Sequence, residues 1–374
     1  MRIAYVCVDP GIPVFGTKGA SVHVQEVVRE LLALGHEVTV YTARRGSEVP
    51  DDLVDLPVHE FPVPSGETVQ RERGQQRVSL EIAARVLADD ADLVYERYSL
   101  FSTVLAEVVA LSDAVGVLEV NAPLIEEERT YRELIDEAAA DAALKTQVAA
   151  AAATVCVSDP VQQWVQARTG TQRAHTVPNG VSITRIMPQP EAEDVVVTFV
   201  GTLKPWHGVA DLLEAAALAR QPWRLRIIGD GPERTNLERR AAELGVDVDF
   251  RGAVAPAEML SQLAGSAIGV APYPELGGTS QQYFSPLKVY EYLAAGLPVV
   301  ASAVGQLPQI LADLGGLVPP SSPEELAAAL DELAADPARR ADVGRRGRAQ
   351  AEQQHSWSGV VTTILQLAGK GGDG

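Results

Sequence analysis

Short runs of apolar and β-branched residues alternate along the chain with alanine- and leucine-rich segments that have helical spacing. The first run, RIAYVCV (2–8), precedes a predicted helix from about Ser21 to Leu34, and Gly35 ends that helix before EVTVYTA (37–43). Later runs of the same kind are LVYER (93–97), GVLEV (116–120) and TVCVS (154–158). Strands that alternate with helices in this way predict a parallel α/β sheet.

A second series of strand-like runs begins at VVVTFVG (195–201). Its other members are RLRIIGDG (224–231), VDFRG (248–252), IGVAPY (268–273) and PVVAS (298–302). The segment between the two series, 177–194, is rich in proline, glycine and acidic residues, which predicts an interdomain linker. Because 374 residues exceed one ordinary core, we expect two doubly wound, Rossmann-like domains.

Composition places the chain among soluble globular proteins, with 46% apolar and 22% charged residues. No apolar run approaches the roughly 20 residues that cross a bilayer, and the start lacks a signal-peptide pattern. We therefore expect a cytoplasmic protein without strong membrane association. A formal net charge of -19 argues against nucleic acid as a partner. The two cysteines, Cys7 and Cys156, are expected to be buried thiols.

Ligands of open α/β sheets bind beyond the carboxyl ends of the strands, so the loops after strands are the candidate sites. The loop 9–24 contains Gly11, Gly16 and Gly19 before Ser21 opens a helix. Glycines let the backbone approach a ligand, and a helix start favours an anion. A merely mobile loop is the alternative.

Two further loops contain lysines, although the chain has only five. VGTLKPWHGV (200–209) has Lys204 and His207 between glycines, and Lys288 lies in FSPLKVYEYLAAGLPVV (284–300). A solvated surface lysine is the usual alternative for either one. The GDG of IIGDGPER (227–234) lacks the third glycine of a dinucleotide fingerprint, and a tight turn explains it as well.

The segment 284–300 combines several features of an anion site. Ser285 suits the N-cap and Pro286 the first helical position. The free amides of Leu287 and Lys288 and the lysine ammonium would then face an anion at the helix start. Glu291 lies one turn deeper, where a carboxylate can accept hydrogen bonds from a diol such as a ribose. A surface ion pair between Lys288 and Glu291 is the alternative.

Other candidate chemistry is weaker. The D-x-D pairs, Asp90–Asp92 and Asp247–Asp249, do not follow strands as a metal–diphosphate site requires, so we expect no metal. The basic run RERGQQR (71–77) is predicted to lie in a loop of the first domain. Its three arginines suit an acidic or phosphorylated acceptor, and a solvated loop is the alternative.

The ordered set of motifs resembles the large family of retaining GT-B glycosyltransferases of the family 4 (group 1) type. The segments that carry this resemblance are GASVHVQEVVRELLALGHEVTVYT, VPNGV, VGTLKPWHGVADLLEA, IIGDGPERTNLE and FSPLKVYEYLAAGLPVVAS. It implies two Rossmann-like domains that face a cleft: an acceptor-binding domain, 1–180 with a returning helix in 355–374, and a nucleotide-sugar-binding domain, 181–354. The nucleoside-diphosphate sugar is then a co-substrate, with no cofactor, and the acceptor is a small molecule or a glycan.

Carried over by position, the family's G-R-x4-K-G pattern falls on Gly201 to Gly208. Thr202 stands in place of the arginine and His207 in place of the lysine, so Lys204 and Lys288 are the expected replacements. The resemblance implies a catalytic set of Lys204, Lys288, His207 and Asn121, the last at a position where the family commonly has histidine. It implies a donor-binding set of Gly16, Gly19, Gly201, Thr202, Gly229, Tyr283, Ser285, Leu287 and Glu291.

The family's E-x7-E pattern falls on Tyr283 and Glu291, so the first glutamate, which usually contacts the donor sugar, is missing. Glu275, Gln281 or Gln282 are candidates for those contacts. Retention without an obvious nucleophile resembles the family's front-face substitution, in which the leaving phosphate helps to deprotonate the acceptor. A nucleotide-sugar epimerase and a non-catalytic two-lobed sugar-binding protein remain as alternatives. An NAD oxidoreductase would need a complete glycine fingerprint, which is not found.

Overall fold

The computed structural model describes residues 1–276 and 282–369. The chain divides into two units: unit 1 is Met1–Asn179 together with the chain from Trp357 onward, and unit 2 is Gly180–Ser356. These boundaries lie within two residues of the predicted ones. Each unit is built on a parallel sheet of its own, which agrees with the predicted pair of doubly wound domains.

Unit 1 contains a seven-stranded parallel sheet with the order β3-β2-β1-β4-β5-β6-β7. Its strands are β1 Arg2–Cys7, β2 Glu37–Thr42, β3 Val58–Glu60, β4 Leu93–Arg97, β5 Val115–Val120, β6 Ala153–Cys156 and β7 Ala174–Thr176. Its helices in this part of the chain are α1 Gly19–Ala33, α2 Thr68–Ala88, α3 Val104–Leu111, α4 Leu124–Tyr131, α5 Glu137–Ala150 and α6 Asp159–Thr169. The strand order reverses between β1 and β4, which is the topological switch point of this sheet.

Unit 2 contains a six-stranded parallel sheet with the order β10-β9-β8-β11-β12-β13. Its strands are β8 Val195–Val200, β9 Trp223–Ile228, β10 Val248–Gly252, β11 Ile268–Ala271, β12 Val299–Ser302 and β13 Gly315–Val318. Its helices are α7 Val209–Ala217, α8 Arg234–Leu244, α9 Met259–Leu263, α10 Leu287–Ala294, α11 Leu307–Leu311, α12 Pro323–Ala335 and α13 Pro337–Gln354. Here the order reverses between β8 and β11, so the switch point lies between these two strands.

The last helix, α14 Trp357–Leu367, belongs to unit 1. Trp357 is buried and its ring meets the His23 ring of α1 edge-on, with centroids 4.9 Å apart. Val361 and Ile364 are buried at i+4 and i+7 from Trp357, as expected for one apolar face of a helix. The C-terminal helix therefore completes the core of the first unit.

The basic run 71–77 lies in α2, so its prediction as a loop is wrong. Gly74 lies inside this helix at a close contact, where a Cβ would come within 2.9 Å of Pro64 Cδ. Glu72 is buried in the same turn, and its carboxylate accepts hydrogen bonds from the backbone N–H groups of Ile135 and Asp136. The run is thus part of a helix, and through Glu72 this helix holds the segment before α5.

Most of the predicted linker, 177–194, is part of unit 2 rather than a free connection, which corrects its interpretation as a linker. Ile186 lies in a buried apolar cluster of that unit. Glu191 forms an ion pair of 2.8 Å with the buried Arg340, and Arg348 donates a hydrogen bond to the carbonyl of Ile186. Proline and glycine here shape a surface segment that side chains of α13 hold in place.

Two smaller expectations concern the thiols and the membrane. Cys7 and Cys156 are buried and free, and burial raises the pKa of each thiol to about 12. Among the helices of residues 1–276 and 282–369, none is long and apolar enough to cross a bilayer.

Candidate functional site

The switch point of unit 2 is held open by a tyrosine hydroxyl. β8 and β11 pair only through Val197 and Thr198 of β8. Beyond that point the Tyr292 hydroxyl of α10 accepts a hydrogen bond from the Val200 N–H at 2.7 Å and lies 3.3 Å from the Val270 carbonyl, to which it donates. Because a side chain replaces direct strand pairing, the carboxyl ends of β8 and β11 are separated where ligands of such sheets bind.

Lys288, in the first turn of α10, lies at this opening. It is 8% exposed, and its Nζ has no hydrogen-bond partner among the described residues. The Nζ lies 4.3 Å from the ring centroid of Phe199 and 4.9 Å from that of Tyr273. Burial lowers the pKa of the ammonium to about 7, although attraction by Glu291 opposes this. The alternative of a surface ion pair is wrong, since the lysine is buried.

The start of α10 differs from the expected cap. Pro286 is the N-cap residue and Leu287 the first helical residue, so the prediction of Ser285 at the N-cap is wrong. The extended backbone of Pro286 already directs its carbonyl to the Val289 N–H at 3.0 Å, and the Ser285 hydroxyl pairs with the Tyr290 hydroxyl at 3.3 Å. The amides of Leu287 and Lys288 still precede the first intrahelical bond, where a helix favours an anion.

The loop 200–209 places a neutral imidazole between the two lysines. His207 ends a 3-10 turn, Pro205–His207, and its Nδ1 hydrogen-bonds the Thr202 carbonyl. Burial lowers the pKa of His207 to about 4, and repulsion by Lys288 and Lys204 adds to the effect. Since a carbonyl only accepts, Nδ1 carries the proton and Nε2 keeps its lone pair. His207 therefore cannot replace the family's cationic lysine.

Lys204 is half-buried rather than fully solvated. Its Nζ lies 4.5 Å from the ring centroid of the exposed Trp206. Its charge, like that of Lys288, contributes to the lowered pKa of His207. Both lysines that the sequence singled out therefore act on the same imidazole electrostatically.

Two glycines allow the close approach of backbone at this edge. Gly201 has φ +149°, and a Cβ there would lie 3.0 Å from the Lys288 Nζ. Gly229 has φ +143°, and its Cβ would lie 1.9 Å from the Gly201 carbonyl oxygen. The GDG sequence is thus explained by contact between two strand ends, and a role of Gly229 in donor binding stays a prediction.

Glu291 lies one turn deeper in α10 than Lys288. Burial raises the pKa of its carboxyl to about 7, against the attraction of Lys288 and Arg185. Arg185 comes from the segment predicted to be a linker, so nothing in its local sequence pointed to this site. A carboxyl in this position, flanked by two cations, can accept hydrogen bonds from a diol.

The structure describes two of the three candidates for the sugar contacts of the missing glutamate, Gln282 and Glu275. The buried Gln282 donates its amide to the Pro274 carbonyl at 3.2 Å, so that group already braces the loop. Glu275 is exposed, and its N–H donates to the Ser321 hydroxyl. Gln281 lies outside the described residues. Tyr283, directly before the Phe284 that packs on Tyr273, stays a predicted contact.

Hydrogen bonds hold part of the glycine loop of unit 1, residues 14–16, in place. The Gln25 amide donates to the carbonyls of Val14 and Gly16 at 2.9 and 3.0 Å. Phe15 donates its N–H to the carbonyl of Arg45 at 2.8 Å. Gly19 is the first residue of α1. Residues 14–16 therefore present a fixed backbone before that helix.

A buried polar cluster that the sequence did not reveal lies on β4, β5 and α1. Glu119 Oε1 is 2.8 Å from His23 Nε2 and accepts a hydrogen bond from the Tyr95 hydroxyl at 3.0 Å. Arg97 Nη1 lies 3.8 Å from Glu119 Oε2. Burial alone would raise the pKa of Glu119, but interaction with His23 and Arg97 outweighs it and lowers this pKa to about 2. Asn121 follows β5 directly, with its Nδ2 buried and unpartnered among the described residues.

Three of the four aspartates in the two D-x-D pairs form ion pairs with arginines. Asp90 and Asp92 contact Arg2, and Asp249 contacts Arg226 and Arg251. Within residues 1–276 and 282–369, no three histidine, cysteine or acidic side chains are grouped as metal ligands.

Two family models match the chain, one in each unit. The model described as "Glycosyltransferase Family 4" matches residues 17–185, and the model described as "Glycosyl transferases group 1" matches residues 194–336. The two matches follow one another along the chain, and the second includes Lys204, His207, Lys288 and Glu291.

Curated relatives agree with these matches. The GDP-mannose-dependent monoacylated alpha-(1-6)-phosphatidylinositol monomannoside mannosyltransferase of Corynebacterium glutamicum is 30% identical over 210 residues, which are 51% of this chain and 55% of the relative. The chain thus spans about half the length of that relative. A D-inositol 3-phosphate glycosyltransferase of Saccharomonospora viridis is 28% identical over 405 residues, with 94% of this chain and 90% of the relative covered.

Solved structures show the same fold. Sucrose-phosphate synthase from Thermosynechococcus elongatus has a TM-score of 0.77 at 20% identity, with 98% of each chain covered. HepE of Anabaena in complex with UDP-glucose has a TM-score of 0.72 at 18% identity, with 99% of each chain covered.

Proposed function

The chain belongs to the group 1 glycosyltransferases of the family 4 type and has their GT-B fold, and we propose that it is a retaining, metal-independent enzyme. In this proposal it moves a sugar from a nucleoside diphosphate to a hydroxyl group of a small-molecule or glycan acceptor. The mannosyltransferase of Corynebacterium glutamicum is GDP-mannose-dependent, and HepE of Anabaena was solved in complex with UDP-glucose. Both support a nucleoside-diphosphate hexose as the donor.

The observation that carries the proposal is the buried ammonium of Lys288. A buried charge without a hydrogen-bond partner is costly, and a ligand that supplies the missing partner removes that cost. Lys288 lies in the first turn of α10, and its ammonium lies 4.3 Å from the ring centroid of Phe199 in β8, one of the two strands at which the sheet order reverses. Two oxygens of a diphosphate fit this combination of cation and helix start. Lys204 adds a second cation near His207.

In the proposed reaction the bond between the sugar's anomeric carbon and the β-phosphate oxygen breaks, and a bond from that carbon to the acceptor oxygen forms on the same face. The acceptor's proton passes to the leaving diphosphate. Lys288, Lys204 and the amides of Leu287 and Lys288 stabilise the charge that grows on that diphosphate, as donors of an oxyanion site do. Glu291 accepts hydrogen bonds from the ribose diol.

His207 has a different task from the lysines. With a pKa of about 4 it is neutral at pH 7, so it adds no charge to the diphosphate site. Its Nε2 lone pair can accept a hydrogen bond from a hydroxyl group of the donor sugar or of the acceptor, while the bond to Thr202 fixes the ring.

The first test is a thermal-shift panel of UDP-, GDP- and dTDP-sugars, because a ligand that binds the folded state raises its melting temperature. The matching donor is then used for turnover with the wild type, Lys288→Ala and the exposed control Lys145→Ala. Loss of an oxyanion-type contact lowers kcat by about 10²-fold or more in Lys288→Ala, and Lys145→Ala stays near the wild type.

Near-normal turnover in Lys288→Ala would overturn the assignment. NMR of the product's anomeric centre tests retention, and an inverted product contradicts that part of the proposal. Isomerised nucleotide sugar that forms without an acceptor would instead indicate an epimerase.

A further inference from the structure

Arg97 is the last residue of β4, at the switch point of unit 1. In register it stands opposite Cys7, the last residue of β1, and opposite Glu119 of β5. It is only 8% exposed. The carboxyl ends of strands at such a reversal are where parallel sheets bind ligands, so a buried cation at this place needs an explanation.

The Nη1 of Arg97 is near a carboxylate but makes no hydrogen bond with it. Its contact with Glu119 is 3.8 Å long, beyond hydrogen-bond distance, and Nη1 has no hydrogen-bond partner among the described residues. Glu119 uses its other oxygen for His23 and Tyr95. The carboxylate is therefore fixed by two other residues and neutralises Arg97 without occupying its N–H groups.

Arg340 shows how a structural arginine of similar burial is satisfied in this protein. It is 5% exposed, and its Nε and Nη2 donate to the Glu191 carboxylate. Its Nη1 donates to the carbonyls of Leu333 and Ala334. Such a fork uses the geometry that makes arginine suitable for buried ion pairs. The Nη1 of Arg97 lacks such an acceptor among the described residues, so this donor is available to a ligand.

A second unsatisfied donor lies at the same edge of the sheet. Asn121 follows the end of β5, the strand next to β4, and its Nδ2 is buried without a partner among the described residues. An unmade hydrogen bond of a buried donor costs roughly 1–3 kcal/mol. Two such donors on neighbouring strand ends, Arg97 and Asn121, favour one ligand group with acceptor oxygens.

We propose that Arg97 and Asn121 form an anion-binding subsite of unit 1, which takes a carboxylate or phosphate group of the acceptor. The planar guanidinium matches the paired oxygens of either group, and the Asn121 amide donates to the same anion. Glu119, held by His23 and Tyr95, is a positioning residue that orients Arg97. The subsite itself rests on unit 1 alone; only its assignment to the acceptor rests on the proposed glycosyl transfer.

The test measures binding of inorganic phosphate and of acetate, each against chloride at equal ionic strength. It uses full-length protein that also carries Lys288→Ala, which removes the anion site proposed for unit 2 from the readout. Titration calorimetry or thermal shift gives the dissociation constants for this background and for its combination with Arg97→Gln, Asn121→Asp or the exposed control Arg73→Gln. Whichever anion binds identifies the group as phosphate or carboxylate.

Loss of charge-assisted hydrogen bonds should weaken binding by about tenfold or more in the Arg97→Gln and Asn121→Asp proteins. The Arg73→Gln protein should bind as its parent does. If Arg97→Gln does not fold, Asn121→Asp decides, because it places a negative charge beside the anion. Equal dissociation constants in all four proteins, or a background protein that binds neither anion, overturn the subsite.

The outcome is separable from that of the proposed function. A protein that fails to bind any nucleotide sugar but binds phosphate through Arg97 keeps the subsite and loses the glycosyl-transfer proposal. A protein that binds and transfers the sugar but shows no anion effect of Arg97 keeps the function, and Arg97 is then only the counter-ion of Glu119.

Discussion

A buried ammonium without a hydrogen-bond partner lowers the stability of the fold that holds it, and Lys288 is such a group. Its pKa is about 7 in the folded protein against 10.5 as its ordinary value, so the unfolded state binds more protons between these two pH values. Stability therefore rises with pH in that window, and the full destabilisation is present below about pH 7. Such a residue is retained for what it binds.

We expect Lys288→Met to stabilise the ligand-free protein, by an amount on the order of 2 kcal/mol in the free energy of unfolding at pH 6. The gain should shrink between pH 7 and 10.5, where the wild-type lysine loses its proton in the folded state. Melting curves at pH 6 and pH 9 measure this difference. Lys145→Met, which removes an exposed lysine paired with Asp141, is the control and should change little at either pH. A lower melting temperature of Lys288→Met at pH 6 contradicts the account.

The same titration predicts the pH dependence of donor binding. A diphosphate prefers the protonated lysine, so the affinity of the matching nucleoside diphosphate should fall as the pH rises through about 7. Glu291, whose pKa is also about 7, becomes negative over the same range and adds to the effect. Calorimetric titrations from pH 6 to pH 9 measure it. In Lys288→Met most of this dependence should be lost; an affinity that is flat with pH in the wild type argues against phosphate contact with Lys288.

Individual site residues were predictable where the local sequence carries the signal. Lys204, Lys288 and Glu291 follow strands or open a helix, so their places in the fold could be predicted from their positions along the chain, while their roles at the site stay predictions. The His23–Glu119 contact joins residues 96 positions apart, and a single sequence has no signal for such a pair. Arg97 looked like an ordinary strand end for the same reason. The sequence did not show that Pro286, and not Ser285, is the N-cap of α10, because this depends on backbone angles that both residues can adopt.

Strands were predictable where a sufficiently long run marks them in the sequence. The interior strand β4 and the edge strand β10 both coincide with the predicted 93–97 and 248–252, because each is a run of five residues with strand-like character. The short strands β3, β7 and β13 were not predicted, since each has only three or four residues and lies at a sheet edge. In α2, one glycine and six polar neighbours in the run 71–77 gave no apolar periodicity, although the segment is helical and Glu72 in it is buried by contacts with a distant segment.

At the element scale we expect Tyr292→Phe to impair unit 2 out of proportion to the single oxygen removed. The Val200 N–H loses its acceptor at the end of β8, which costs roughly 1–3 kcal/mol in the free energy of unfolding. The ends of β8 and β11 also lose the group that separates them, so the affinity for the donor should fall. Thermal melting and donor titration measure the two effects. Tyr290→Phe, which loses only a 3.3 Å contact with the Ser285 hydroxyl, is the matched control. Equal behaviour of both variants contradicts this role.

At the scale of the whole molecule, the acidic composition isolates the positive sites. The chain has a formal net charge of -19, yet each sheet has buried cations at its switch point: Lys288 in unit 2 and Arg97 in unit 1. An acidic surface disfavours unspecific anion binding, so phosphate or carboxylate groups are attracted only where a cation is built into the fold. Each unit therefore has a buried cation near the carboxyl ends of its parallel strands.

The two units also predict how the molecule responds when its last helix is removed. α14 belongs to unit 1, where Trp357, Val361 and Ile364 are buried, so deletion of residues 357–374 should destabilise that unit by several kcal/mol, about 2–5 for each large side chain lost. Unit 2 keeps its own core with Lys288 and Glu291, so donor binding should persist, weakened by loss of the contacts predicted for Gly16 and Gly19 of unit 1. Scanning calorimetry with and without the donor resolves the two effects, and Ile364→Ala against the exposed Gln366→Ala gives a milder matched pair. Loss of donor binding in a truncated protein whose unit 2 transition is intact would show that the donor site does not reside in unit 2 alone.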